Sequence, residues 1–149
     1  MSNLITVEIL NIGDELLLGI RTNSHLTYLG KQLSLLGLKI DHCQVVPDNA
    51  DAIKTAFSIA TKRADIVIAT GGLGPTADDL TRESLAELLE LKLIYNDTVF
   101  DSIKERFLKL GREVSEIHKK QCYQIEGSQL LKNDRGTAPG LFVKDTACE

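Results

Sequence analysis

The stretch Asp65–Thr81, DIVIATGGLGPTADDLT, decides how the chain is read. Asp65–Thr70 is a short β-branched apolar run, the pattern of a central strand covered on both faces. Gly71, Gly72 and Gly74 follow at once. Glycine permits positive φ and lets another molecule approach the bare backbone. Pro75 has a fixed φ and no N–H, so it stiffens one side of the turn. Asp78, Asp79 and Thr81 stand where a helix begins, LTRESLAELLE. Backbone N–H groups at a helix start are unpaired and carry partial positive charge. Strand, glycine turn and helix start together predict an anion cradle of the kind that holds phosphate.

Two common phosphate motifs fit poorly. A P-loop needs GxxxxGK[ST], and no lysine follows the glycines. Gly72–Ala77 fits the loose dinucleotide pattern GxGxxA, but it follows the third predicted strand and contains a proline. The acidic pair also opposes a bare phosphate site. A phosphate about 4 Å from a carboxylate is repelled by roughly 4 kcal/mol at an effective dielectric near 20. Two readings of Asp78 and Asp79 follow. Either they bind a divalent cation that bridges them to the ligand, or they cap the helix and complement its dipole.

The 149 residues suffice for one domain with a proper core. Hydrophobic content of 43 % and charged content of 26 % are ordinary for a globular chain. A net charge of −4, with no Lys/Arg run, argues against a nucleic-acid surface. No apolar run approaches the roughly 18 residues of a membrane span, and no basic, then apolar, leader pattern opens the sequence. Cys43, Cys122 and Cys148 are odd in number and form no CxxC. They are expected to be reduced thiols, Cys43 packed in a strand, in a cytoplasmic protein.

Upstream, Leu4–Leu10 reads as the first strand and runs into Gly13-Asp14-Glu15. In open α/β sheets ligands bind beyond the carboxyl ends of strands, so Glu15 is either a ligand or base, or a solvated loop acid. Thr22–Leu36 has the three-and-four apolar spacing of a helix, with Asn23 or Ser24 as cap and Gly37 just past its end. Lys39–Val46 reads as the second strand and ends in Val46-Pro47-Asp48-Asn49. Asp48 is either a second acid at the same sheet edge or the N-cap of the helix Ala50–Ala64. The order is βαβαβ with crossovers of about 25 residues, which predicts parallel neighbours with helices on both faces of the sheet.

Downstream, Leu80–Leu91 and Val99–Leu110 read as helices. The first carries Leu85, Leu88 and Leu89 inward, and the second is capped by Asn96-Asp97 and closed by Gly111. Glu113–Gln124 is ambiguous, and Lys119 and Lys120 either reach a phosphate or, as the favoured reading, lie on a solvated helix face. Ser128–Leu131 and Leu141–Lys144 read as short strands on either side of the loop Asn133–Gly140.

With these residues placed, the sequence resembles the N-terminal domain of the competence/damage-inducible protein A (CinA) family, within the molybdopterin-binding (MoaB/Mog-like) superfamily. The matching pieces are GDELLLG at Gly13–Gly19, Asn23, VVPDN at Val45–Asn49, TGGLGPTADDLT at Thr70–Thr81, HKKQ at His118–Gln121 and NDRGTAPG at Asn133–Gly140. They fall in family order over nearly the whole chain. The resemblance implies an α/β fold, a three-layer αβα sandwich with a mostly parallel sheet, as a single domain over residues 1–149. Relatives of this kind continue past GTAPG into another strand and an LPGVP-type loop, so the domain is expected to be short at its C-terminal end. The nicotinamide mononucleotide deamidase domain of many relatives is not carried over.

For the site, the resemblance implies Asp48 and Asp79 in the ligand pocket, with Glu15 as a further catalytic candidate. Phosphate or substrate contacts fall on Gly13, Asn23, Thr70, Gly71, Gly72, Gly74, Thr76, Thr81, Gly136, Thr137 and Gly140. Asp78 and Asp79 would hold a divalent cation, Mg²⁺, Mn²⁺ or Co²⁺. The implied activity is metal-dependent hydrolysis of a nucleoside diphosphate-sugar such as ADP-ribose, with no organic cofactor. The alternatives are a molybdopterin-binding or molybdopterin adenylyltransferase-like protein, or a non-catalytic nucleotide-binding module. Partners would be a small nucleotide or pterin ligand and further copies of the chain, as dimer or trimer.

Overall fold

The computed structural model describes residues 5–144. They fall into two compact units that divide between Gly72 and Leu73. Cys148 lies outside the described residues.

The first unit is built on β1 (Val7–Ile12), whose six residues are all buried. It pairs in parallel with β2 (His42–Val46) on one side and β3 (Ile66–Thr70) on the other, giving the order β2-β1-β3. The expected parallel βαβαβ arrangement is present, but the strand buried on both faces is β1. Within this unit β3 pairs only with β1, and Ile66 is exposed. Alternation divides β1 into two faces. Val7 and Ile9 pack against Leu26, Leu29 and Leu33 of α2 (Ser24–Leu35). On the opposite face, the turn after α3 (Ala50–Ala60) brings Arg63 to the fully buried Glu8. That places the two helices on opposite faces of the parallel sheet, an αβα arrangement. Cys43 lies in β2 as expected but is exposed there.

Helix ends follow cap chemistry. Asn23 Oδ1 accepts from Leu26 N at 3.0 Å, and Gly37 takes φ +75° past the end of α2. Asp48 is not the cap of α3. Asn49 is, its Oδ1 accepting from Asp51 N and Ala52 N. A short helix α1 (Asp14–Leu17), absent from the sequence reading, follows β1 directly.

The second unit holds α4 (Thr81–Leu88), β4 (Leu93–Tyr95), α5 (Asp97–Lys109), a 3-10 helix (Glu116–Cys122), β5 (Tyr123–Ile125), β6 (Gln129–Leu131) and β7 (Gly140–Phe142). β4 pairs antiparallel with β5, and β6 with β7. Val99 and Ile103 of α5 pack on Cys122 with Tyr95, Phe107 and Leu130 around them. Asn96 caps α5, accepting from Thr98 N at 3.0 Å. The fully buried residues of α4 are Thr81, Arg82, Ser84 and Ala86, while Leu85, Leu88 and Leu89 are half-buried. The ambiguous segment after Gly111 becomes the 3-10 helix and β5, pieces too short to carry a clear period. Among the described residues, no helix is long and apolar enough to cross a membrane.

Candidate functional site

In the first unit, β1 and β2 end side by side, and their two following acids are interlocked. Asp48 Oδ2 accepts from Asp14 N at 2.9 Å, and Asp14 Oδ1 accepts from Asp48 N at 3.3 Å. Gly13 N donates to Val46 O at 3.0 Å and ties the same two strand ends. The carboxylate of Glu15 folds back over Gly13, within 2.6 Å of where a β-carbon would stand. Asp48 therefore serves the strand-end loop rather than the helix behind it. Asp14 is a residue that sequence reading passed over, although the strand-Gly-Asp pattern contained it. Asn23 is accounted for by its capping bond.

At the end of β3, Thr70 Oγ1 donates to the buried Asn11 Oδ1 at 3.2 Å. Gly71 follows at φ +100°, and a β-carbon there would lie 1.9 Å from the carbonyl oxygen of Ile12. Only glycine satisfies both demands. Gly72 takes φ +64°.

The second unit begins within the same loop and is organised by Asp79. Its Oδ1 accepts from Gly74 N at 2.8 Å, and its Oδ2 accepts from Thr76 N at 2.9 Å and from the Thr76 hydroxyl. Neither Asp78 nor Asp79 caps α4. The N-cap position is Leu80, with no side-chain hydrogen bond. Asp79 instead folds the loop N-terminal to it, because Gly74 and Thr76 present their N–H groups inward. Three acceptor positions of Asp79 are thereby used, whereas Asp78 is exposed. The Thr76 side chain, with a smaller contribution from the Lys120 ammonium, holds the Asp78 carboxyl below the usual carboxylate range.

Lys120 is not a solvated lysine. It lies on the 3-10 helix and donates to the carbonyl oxygens of both Thr76 and Asp79. This closes the loop from outside while Asp79 closes it from within. The contact spans more than 40 residues, so spacing along the chain gave no sign of it. Thr81, the first residue of α4, is buried.

The Asn133–Gly140 loop is shaped by its own first residue. Asn133 Oδ1 accepts from Arg135 N and Gly136 N, both at 3.0 Å, and its Nδ2 donates to Ala138 O at 2.8 Å. Arg106 of α5 donates to the carbonyls of Asp134 and Arg135 at 3.1 and 2.8 Å. A β-carbon at Gly136 would press on Asn133 Nδ2 at 2.8 Å. Thr137 is half-buried, and Gly140 opens β7. Arg106 and Asn133 are a second pair of organising residues that sequence reading missed.

The metal reading meets a definite donor set. Among the described residues no group of three or more His, Cys, Asp or Glu side chains is gathered as a metal cage. Mg²⁺ needs no such cage, since it commonly binds through one or two carboxylates together with substrate phosphates. An exposed, ionised Asp78 beside the loop fits that mode.

A family model described as a probable molybdopterin binding domain matches residues 8–147. The chain belongs to that family. Within it the similarity runs to the CinA branch. A relative from Clostridium acetobutylicum that carries the competence-damage inducible name is 48 % identical over 139 residues, 93 % of this chain and 34 % of the relative. The crystal structure of the CinA protein from Thermoplasma acidophilum superposes with a TM-score of 0.82 at 31 % identity, covering 94 % of this chain and 82 % of that one. The molybdopterin biosynthesis enzyme MoaB from Thermus thermophilus shares the fold, with a TM-score of 0.51 at 22 % identity, covering 81 % of this chain and 79 % of its own. The chain spans about a third of the length of the curated relatives it matches. The resemblance carried by TGGLGPTADDLT and NDRGTAPG is thus confirmed at the level of family and fold.

Proposed function

We propose that this CinA-type domain is a metal-dependent pyrophosphatase of a nucleoside diphosphate-sugar of the ADP-ribose type. One observation carries the proposal. The loop Gly74–Asp79 is folded around the Asp79 carboxylate, clamped by the Lys120 ammonium, and leaves the ionised Asp78 carboxylate outside. A loop built this way sets the positive charge of Lys120 where a phosphate can be attracted and leaves the Asp78 carboxylate for the cation that accompanies it.

Asp79 and Lys120 hold the loop in shape before the ligand arrives, so little ordering remains to be done on binding. Asp78, with the remaining acceptor capacity of Asp79, would hold the cation. When bound, a divalent cation neutralises phosphate charge and makes a coordinated water more acidic. Asp48 and Glu15, in the first unit, are further acids that the family resemblance implies for catalysis, and substituting each of them tests that role. The reading carries with it a cytoplasmic location and a homo-oligomeric assembly, the latter measurable by light scattering.

The family model's own description favours a second reading, in which the same loop holds the phosphate of a pterin. One assay separates the two. Purified protein is incubated with ADP-ribose and Mg²⁺, Mn²⁺ or Co²⁺, and AMP is measured, with Asp78→Asn and Asp79→Asn as controls. AMP that forms only with metal and is lost in the controls supports the pyrophosphatase. Absence of AMP with every metal, together with tight pterin binding, overturns it in favour of the second reading.

A further inference from the structure

Asn11 is a fully buried amide between Leu10 and Ile12 on the central strand of the first unit. A buried amide costs free energy unless its hydrogen bonds are made, and an apolar side chain would avoid that cost. The bonds of Asn11 cross the sheet. Its Nδ2 donates to Cys43 Sγ at 3.2 Å and to Gln44 O at 3.3 Å on β2, and its Oδ1 accepts from Thr70 Oγ1 at 3.2 Å on β3. The polarity of this chain of bonds is fixed. Gln44 O is a backbone carbonyl and only accepts, so the amide nitrogen faces it and the amide oxygen faces Thr70. An amide oxygen does not donate, so the single hydroxyl hydrogen of Thr70 points at Asn11. Ionised phosphate oxygens are acceptors too. While Asn11 holds Thr70, that hydroxyl has no hydrogen to give to a phosphate.

The link stands one residue before the glycine turn. Asn11 lies opposite Thr70 in the β1–β3 register. The next residue on each strand meets its counterpart through backbone, since a β-carbon on Gly71 would lie 1.9 Å from Ile12 O. Two successive contacts, one of side chains and one of backbone, thus set where β3 ends and where Gly71 turns away at φ +100°. We propose that Asn11 is a positioning residue: by accepting the Thr70 hydroxyl it pins the Gly71-Gly72 turn in shape for ligand binding, and Thr70 serves as that pin rather than as a phosphate donor. Its part in binding rests on the proposed nucleotide ligand; the pin itself does not.

Three substitutions test it. Thr70→Val keeps the shape and removes the hydroxyl, Asn11→Leu removes the amide, and Thr70→Ser keeps the hydroxyl. AMP release from ADP-ribose with Mg²⁺ gives KM and kcat. Amide hydrogen exchange followed by NMR reads Gly71 and Gly72 with no ligand present. Thr70→Val and Asn11→Leu should each raise KM about 10-fold and lower kcat by less. The double variant should be no worse than either single one, because both substitutions break the same link. Thr70→Ser should recover most of the lost affinity. Exchange at Gly71 and Gly72 should quicken at least about 10-fold in Thr70→Val and in Asn11→Leu alike. A KM raised by Thr70→Val but not by Asn11→Leu would show that Thr70 donates to the ligand directly, and the proposal falls. Single effects that multiply toward about 100-fold in the double variant overturn it as well. Should Asn11→Leu not fold, the threonine pair decides: equal exchange at Gly71 in Thr70→Val and Thr70→Ser removes the pin. If no AMP forms, the pyrophosphatase reading fails, and the exchange comparison still decides the pin. If AMP forms while KM and exchange are unaltered in Thr70→Val, the pin fails and the pyrophosphatase stands.

Discussion

Gly74 and Asp79 are fitted to one another: the Gly74 N–H donates to Asp79 Oδ1 at 2.8 Å, and a β-carbon on Gly74 would stand 2.4 Å from Asp79 Oδ2. Gly74 has no positive φ, so the requirement for glycine here is space, not backbone conformation. Gly74→Ala should therefore leave the backbone allowed and push the Asp79 carboxylate off the loop. The expected cost is about 1–3 kcal/mol in thermal unfolding, the usual range for overpacking. AMP release from ADP-ribose should fall at least about 10-fold, since the displaced carboxylate no longer orders Thr76. Full activity in a stably folded Gly74→Ala protein would contradict the assignment of this loop.

Lys120 tests the same loop from outside. Lys120→Met keeps most of the aliphatic stem and removes the two bonds to the Thr76 and Asp79 carbonyls. Steady-state kinetics should show KM rising by about 10-fold or more, from the lost ordering and lost positive charge. Lys120→Arg should recover only part of this, because a planar fork does not replace a compact ammonium between two carbonyls. If KM and kcat are both unchanged in Lys120→Met, the clamp is irrelevant to ligand binding.

The contrast between these two residues shows where sequence reading stops. The βαβαβ order, the Asn23 and Asn96 caps and the glycine turn depend on neighbours within a few residues, and all were legible. Asp79 was read as a cation ligand or, less favoured, a helix cap, and its three-donor role within the loop was not foreseen. Lys120 looked like one of two solvated lysines, because its partners lie more than 40 residues away. β4 and β5 escaped for a related reason. Each has three residues, and their pairing, Leu93 with Ile125, joins distant parts of the chain. Asp48 follows the end of β2 as expected, yet the partner that occupies it, Asp14, opens α1 just past the end of β1.

That pairing makes a separable prediction. Asp48→Asn keeps an acceptor for Asp14 N, whereas Asp48→Ala leaves that N–H without it. Asp48→Ala should lose about 1 kcal/mol in urea unfolding, and Asp48→Asn should stay near the wild type. AMP release should be abolished in both if Asp48 acts as an acid or base, and preserved in Asp48→Asn if it only joins two loops. The two variants thus separate a structural from a chemical role.

The buried Glu8 predicts how stability responds to acid. Arg63 donates to both of its oxygens at 2.7 and 2.8 Å, Gln44 donates at 2.7 Å, and Glu8 itself is fully buried. The Arg63 hydrogen bonds hold the Glu8 carboxyl below its ordinary value of 4.5 in spite of burial. The folded pKa lies below the unfolded one, so the stabilisation is complete above about pH 4.5 and is lost as pH falls through the folded value. Glu8→Gln should cost about 3 kcal/mol at pH 7, the low end for breaking a buried pair, because the Arg63 side chain is 40 % exposed and keeps some water. Its unfolding free energy should also depend less on pH below 4.5 than that of the wild type. Parallel stability curves for the two proteins across that range would show that the Glu8–Arg63 pair does not set the acid response. A steeper curve for the wild type, confined to that range, would place the effect on Glu8.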